Sequence, residues 1–345
     1  MHTWILVPLD GSTFAERALP TAVVLARRAG AVLELVHAHD PLHASSEEAV
    51  TLDPAASEGV AASTHDRLAA LARRLEPHVG RPVVVTILRG PPVTSLLHHI
   101  DERHADVVVM ATHGATGLGR VLLGSVAASL VRHAPVPVLL VHPGGFGSAS
   151  LGDPPPAPVR AAAEAPLFRR ILVPLDGSPF AELALEHALL LGEATSAPAP
   201  TEFTLLRVVV PHPLFLRQYP PAPVPVDLEA TVREEAEARA YLDTLSATVR
   251  RRGFPVRADV LIEADIAAAI VAHADAHGHD LVAMATHGRG AARRLLLGSV
   301  ADGVLRTVHT PLLLVHPSSR ESGPPAPAGP ERREHEATGG GRAPS

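Results

Sequence analysis

Two acidic residues close identical apolar runs. Asp10 ends "ILVPLD", and Asp176 ends the same six letters at 171–176. A carboxylate just beyond a buried strand can accept hydrogen bonds from hydroxyl or amino groups, as acidic residues do on a ribose. A second stretch also recurs: "ATHGATGLGRVLLGSVA" from Ala111 and "ATHGRGAARRLLLGSVA" from Ala285 agree at 11 of 17 positions. Gly114 and Gly288 let backbone approach a ligand closely. After nine intervening residues, Gly124-Ser125 and Gly298-Ser299 stand where a helix would begin. Free N–H groups, the helix dipole and a Ser hydroxyl favour an anion there. A carboxylate at one end and an amide cradle at the other is the layout of a nucleotide site. Each feature has a local reading as well, since Asp-Gly-Ser can cap a helix and Gly can simply turn the chain. Recurrence at corresponding positions favours the ligand, although duplication preserves turns too.

These residues need a scaffold, and the chain writes it twice. "ILVPLDGSTFAE" from Ile5 recurs from Ile171 with 11 of 12 positions matched, at an offset of 171 − 5 = 166. The glycine stretches are offset by 285 − 111 = 174, so the second copy gains 174 − 166 = 8 residues between its motifs. "EATSAPAP" and the proline-rich "PHPLFLRQYPPAPVPV" can absorb them as loops. In the first copy, strands are expected near Trp4–Pro8, Val32–His37, Val83–Leu88, Val107–Ala111 and Val136–His142. Helices are expected near Ala15–Arg28, Ser57–Leu75, Val93–Arg103 and Val121–Arg132. The second copy repeats the strands near Arg170–Pro174, Thr204–Val209, Arg257–Ile262, Leu281–Ala285 and Pro311–His316. Short continuous apolar strands alternating with helices indicate a parallel sheet buried on both faces. The expected class is α/β: two tandem doubly wound domains, each a five-stranded parallel sheet flanked by helices, at 1–143 and 167–317. Residues 144–166, rich in Gly, Ser and Pro, read as a flexible linker, and 318–345 as a disordered tail.

Composition fits two aliphatic cores. The chain has 345 residues, 46% of them hydrophobic but only 3% aromatic. A net charge of −6 without a long basic stripe argues against nucleic acid as a partner. There is no cysteine, which removes disulfides and thiol chemistry and suits a reducing, cytoplasmic setting. The N-terminus reads as neither leader nor membrane span.

The order "VPLDGS", "HAHD", "THG" plus nine residues plus "GSV", then "PVPVLLV" resembles the universal stress protein family, and two copies resemble its tandem members. The likeness covers nearly all of 3–143 and 168–317. It implies a Rossmann-like fold related to the adenine-nucleotide alpha hydrolases, ATP binding with or without Mg2+, and a regulatory role in stress response. By this resemblance Asp10 and Asp176, with neighbouring Pro8, Leu9, Pro174 and Leu175, would meet the adenosine. Ala38 and Val208 would line adenine. Gly114, Gly124, Ser125 and Val126, and Gly288, Gly298, Ser299 and Val300, would hold ribose and phosphates. Both copies depart from the family pattern at its first glycine, which is Ala111 and Ala285 here; the extra methyl group puts a close backbone contact in doubt. The fifth strands, "PVLLVHP" and "PLLLVHP", would join the copies as an intramolecular pseudo-dimer, and a homodimer of chains is a further option.

The copies differ in detail. Arg289, with Arg293 or Arg294, could add charge near the second site's phosphates or could be solvated. Glu263 and Asp265 follow the second copy's third strand, where the first has "LRGPPVTSLL". They either oppose a triphosphate or stabilise a helix start, and on that account site one is the safer expectation. His273 and His277, with His279 nearby, have spacing that can bind zinc, but no further ligand set accompanies them, and a surface helix end is the simpler reading. No Walker motif, catalytic base or paired carboxylate is evident, so any ATP hydrolysis would be slow. The rival readings are a nucleotide-free scaffold of the same fold and an adenylating enzyme.

Overall fold

The computed structural model describes residues 3–40, 54–116, 120–141, 167–195, 200–211, 227–287 and 297–316. The expected linker, the expected tail, and Gly288, Arg289, Arg293 and Arg294 lie outside them. The first half runs β1 (Trp4–Pro8), a 3-10 turn (Ala15–Ala18), α1 (Leu19–Ala29), β2 (Val32–His39), α2 (Pro54–Val79), β3 (Val84–Arg89), α3 (Pro92–Glu102) and β4 (Val107–Ala111). A small hairpin follows, β5 (His113–Thr116) and β6 (Arg120–Leu122), then α4 (Ser125–His133) and β7 (Val138–Val141). The second half runs β8 (Arg170–Pro174), α5 (Pro179–Thr195), β9 (Glu202–Val209), α6 (Leu228–Arg251), β10 (Val256–Ile262), α7 (Ile266–Ala276), β11 (Leu281–Ala285), α8 (Ser299–Thr307) and β12 (Leu312–Val315).

Ten strands form one sheet in the order β10-β9-β8-β11-β12-β7-β4-β1-β2-β3. Every pairing in it is parallel except the central one, where β12 meets β7 antiparallel through Leu312↔Leu140, Leu313↔Leu139 and Leu314↔Val138. Two doubly wound halves thus share a seam made by their fifth strands, which removes what would otherwise be an apolar edge on each. Along the strands, alternate residues enter opposite cores. Ile5, Val7, Leu139 and Val141 pack under α1, α2, α5 and α6, with Leu19, Leu75, Leu185 and Leu242. Leu6, Val138 and Leu140 pack under α3, α4, α7 and α8, with Ile100, Leu130, Ile270 and Val304. Each fully buried Leu or Ile contributes roughly 1.5–3 kcal/mol. Across the seam, Arg28 Nη1 of α1 donates to the Thr195 carbonyl at the end of α5, at 2.6 Å.

Two helix expectations are corrected. The helix foreseen over Ala15–Arg28 is split, because Pro20 stands in the first turn of α1 and cannot occupy a helix interior. The helix foreseen from Val121 begins at Ser125: Gly124 is extended (φ −60°, ψ 154°), and Arg120–Leu122 pairs with His113–Thr116 instead.

One buried charge stands at the opposite end of the strands from the candidate loops. Glu34 on β2 is fully enclosed and accepts hydrogen bonds from Trp4 Nε1 at 2.6 Å, Thr86 Oγ1 at 2.6 Å and His99 Nε2 at 2.9 Å. Burial alone would raise its carboxyl, but the bonds from His99, Thr86 and Trp4 outweigh it and hold the group below its ordinary value. In the second half a threonine, Thr204, follows Phe203 on β9, and His279 bonds to it through Nε2 at 2.9 Å. The acid there is Asp259 on β10, 3.3 Å from His273.

Candidate functional site

β1 pairs with both β2 and β4, and β8 with both β9 and β11, so the winding reverses beside β1 and beside β8. Loops leaving such a neighbouring pair turn to opposite faces and leave a crevice beyond the strand ends. The Asp10 and Asp176 turns form one lip of each crevice; the loops after β4 and β11 form the other.

The first lip is built alike in both halves. Asp10 Oδ1 accepts from Ser12 N at 2.8 Å and Ser12 Oγ at 2.6 Å, and Ser12 Oγ accepts from Ala15 N at 3.1 Å. Asp176 Oδ1 accepts from Ser178 N at 2.9 Å and Ser178 Oγ at 2.5 Å, and Ser178 Oγ accepts from Ala181 N at 3.2 Å. The residue between, Gly11 (φ +88°) or Gly177 (φ +79°), is left-handed, which explains the invariant "DGS" of the two copies. The capping role is therefore real, and it engages one carboxylate oxygen of each aspartate.

The second lip is closed by Gly298. Its N–H donates to the Thr286 carbonyl at 2.8 Å, and a Cβ there would sit 3.1 Å from that same oxygen. A side chain there would push the start of α8 a few tenths of an ångström from the end of β11. Gly298 and Gly124 are the N-caps of α8 and α4, and neither helix start carries a side-chain cap. The first-turn amides there have no acceptor within the helix.

In the second half these lips enclose a cavity of about 550 Å³. Of the residues expected there, Pro174, Leu175, Asp176, Val208, Ala285, Gly298, Ser299 and Val300 line it. In the first half, Ala38 lines an open depression of about 420 Å³ with Asp40, Pro91 and Pro92. Gly114 falls within β5, and Arg67 of α2 donates from Nη1 to the Gly11 carbonyl at 3.2 Å, crossing the Asp10 turn. Glu263 and Asp265 stand outside the second cavity. Asp265 caps α7, accepting from Ala268 N at 3.0 Å, so of the two roles weighed it takes the helix start.

Sequence reasoning missed the polar wall of the second cavity. Arg207 on β9 is 9% exposed, donates from Nη1 to the Leu175 carbonyl at 3.3 Å and lies 3.8 Å from Glu234 of α6. Beside it Tyr241 donates to Glu182 at 3.1 Å; burial, then the Glu182 carboxylate, push the Tyr241 phenol up. The signal was the charge interrupting "TLLRVVV". At the same register the first half has His37, whose Nδ1 lies 2.8 Å from the Leu9 carbonyl. His273, His277 and His279 do cluster, with ring centroids 4.1–6.1 Å apart. Among the described residues, however, no group of three or more His, Cys, Asp or Glu is placed to hold a metal ion. Nor is any described helix long and apolar enough to cross a membrane.

The profile described as the universal stress protein family matches residues 1–142 and 167–316. The chain belongs to the universal stress protein family. It carries that domain twice. It is 31% identical over 227 residues to a universal stress protein of Mycobacterium tuberculosis; the alignment covers 66% of this chain and 66% of that relative, just under two thirds of its length. A universal stress protein of Thermus aquaticus is 33% identical over 142 residues, 41% of this chain and all of that relative. Among solved structures, a universal stress protein from Archaeoglobus fulgidus superposes over 91% of this chain and 98% of its own, with a TM-score of 0.63 at 18% identity. That likeness speaks for the fold, including the joining of two halves.

Proposed function

We propose that this universal stress protein binds nucleoside triphosphates, ATP in the first place, at the strand-end crevices of its two halves, and that occupancy regulates its contacts with partners in stress response. The observation that carries the reading is the second cavity. It joins an aspartate on one lip to the uncapped start of α8 on the other, and its volume lies within the range of small-molecule sites. Asp176 would meet the nucleoside, Val208 and Ile270 would flank the base, and the amides after Gly298 with the Ser299 hydroxyl would hold phosphate oxygens. In the first half Asp10, Ala38, Gly124 and Ser125 would take the same parts. Mg2+, if it accompanies ATP, would neutralise phosphate charge between the lips.

Mass spectrometry of small molecules released from the purified chain, followed by ATP titration, tests this. Ser299→Asp and Ser125→Asp each set a carboxylate at a helix start that is meant for phosphate. Each is expected to weaken ATP binding at its own site at least ten-fold. Unchanged affinity in both variants, or no ATP binding at all, refutes the proposal. A steady-state turnover assay separates a binding protein from an enzyme; the expectation is slow or no hydrolysis.

A further inference from the structure

The two crevices differ at their base ends. Where β2 of the first half carries His37, β9 of the second carries Arg207, each one residue past the strand position paired with Pro8 or Pro174. Both side chains reach back to the carbonyl of the residue before the aspartate, Leu9 or Leu175. Their chemistry is opposite. His37, when neutral, donates its Nδ1 proton to the Leu9 carbonyl and so keeps Nε2 as an acceptor. Arg207 has five donors and no acceptor. The exocyclic group at the 6-position of a purine is a donor in adenine, an amine, and an acceptor in guanine, a carbonyl. An acceptor at this register suits adenine; a guanidinium suits a 6-oxo purine.

The second cavity has the complementary half of such a reader as well. Asp176 lines the same cavity as Arg207. Guanine sets N1–H and N2–H donors beside its O6 and N7 acceptors, so a carboxylate and a guanidinium in one pocket can satisfy adjacent parts of one base. Adenine would set its 6-amine against the guanidinium, donor against donor. Glu234 at 3.8 Å keeps Arg207 charge-balanced in the wall, so the pocket can receive a neutral base without a lone buried cation. The first half places its cation elsewhere: Arg67 comes from α2 and binds the Gly11 carbonyl.

We infer that the second crevice selects a 6-oxo purine nucleotide, GTP over ATP, through Arg207 with Asp176, while the first keeps adenine; this rests on the nucleotide reading above. The test is calorimetric titration of the full chain with ATP, GTP, ITP (which lacks the 2-amino group) and 2-aminopurine riboside triphosphate (which lacks O6). One site is expected to prefer GTP to ATP by roughly ten- to a hundred-fold, the discrimination that a bidentate arginine contact gives between bases. ITP should keep most of that preference and the 2-aminopurine nucleotide should lose it. Arg207→His should bring the GTP-to-ATP ratio at that site to one or below. ATP binding at both sites without any GTP preference overturns this inference and leaves the nucleotide reading standing. Failure of every nucleotide to bind overturns both. Should Arg207→His not fold, the analogue series on the unaltered chain decides alone: equal affinity for the 2-aminopurine and guanine nucleotides refutes the role given to Arg207.

Discussion

Replacing Glu34 by glutamine probes how the first half tolerates a buried charge. The side chains are nearly isosteric, so no cavity forms, and the change falls on three hydrogen bonds of 2.6–2.9 Å. Glutamine can still accept from Thr86 and His99 through its oxygen, but at about half the strength of a charge-assisted bond. Its amide nitrogen must then face the Trp4 indole N–H, donor against donor. Losing one charged hydrogen bond costs about 1.5–3 kcal/mol, and weakening two more adds a comparable amount. Relief from burying an ion offsets part of this. The net expectation is a loss of about 3 kcal/mol in urea unfolding at pH 7, followed by the fluorescence of Trp4, the only tryptophan in the chain. The pH dependence has a definite sign. The folded pKa of Glu34 is depressed, so its contribution is present above the unfolded carboxyl value near 4.3 and disappears as pH falls through the lower folded value. The gap between the two proteins should therefore hold from pH 7 to about 5 and narrow below about 4. A gap under about 1 kcal/mol at neutral pH, or one that widens in acid, would show that Glu34 is not held as an ion by these bonds.

Other expectations follow from single contacts. His187 and His279 are buried with pKa values pushed down to about 4 by desolvation, so the unfolded chain takes up protons that the folded one refuses. Stability should fall as pH drops from about 6.5 toward 4, and His187→Leu should remove a few kcal/mol of that loss, read from urea midpoints at pH 7 and 5. Gly298→Ala places a methyl 3.1 Å from the Thr286 carbonyl; it should cost about 1–2 kcal/mol and shift α8, weakening nucleotide binding at the second site while sparing the first. Gly11→Ala asks alanine to hold φ +88° and to displace the Arg67 guanidinium, so a loss of about 1–2 kcal/mol in thermal or urea unfolding is expected.

The strands were readable because each is a short, nearly uniform apolar run, and the repeat fixed which residues correspond. Placing "LDGS" and "THG" at strand ends makes one crevice of them only if β1 and β4 are neighbours, which the pairing of Ile5 with Val107 supplies. What escaped depends on neighbours far along the chain. Glu34 sits inside "VLELVH" and looks like a solvent-facing break, until Trp4, Thr86 and His99 converge on it from three other elements. Arg207 inside "TLLRVVV" reads the same way, and only the lateral packing of α6 against β9 turns it into the wall of a cavity. The β5–β6 hairpin was hidden because "GRVLLGSVA" satisfies a helical pattern as well as a strand followed by a helix. The extended backbone at Gly124 decided between them. Pro20 was visible, but its effect was not, since a proline in a first turn and one that splits a longer helix look alike in sequence.

The reversed direction of β12 against β7 sets where signals can go. Carboxyl ends of the strands in one half lie level with amino ends in the other, so the two strand-end crevices open at opposite rims of a single slab. Bodies seated in them would be held apart by the length of the strands as well as by the seam. The strand contact between the halves is three facing pairs of leucine and valine, an aliphatic zipper, with the Arg28 bond to the Thr195 carbonyl beside it. Such a joint transmits displacement and little else.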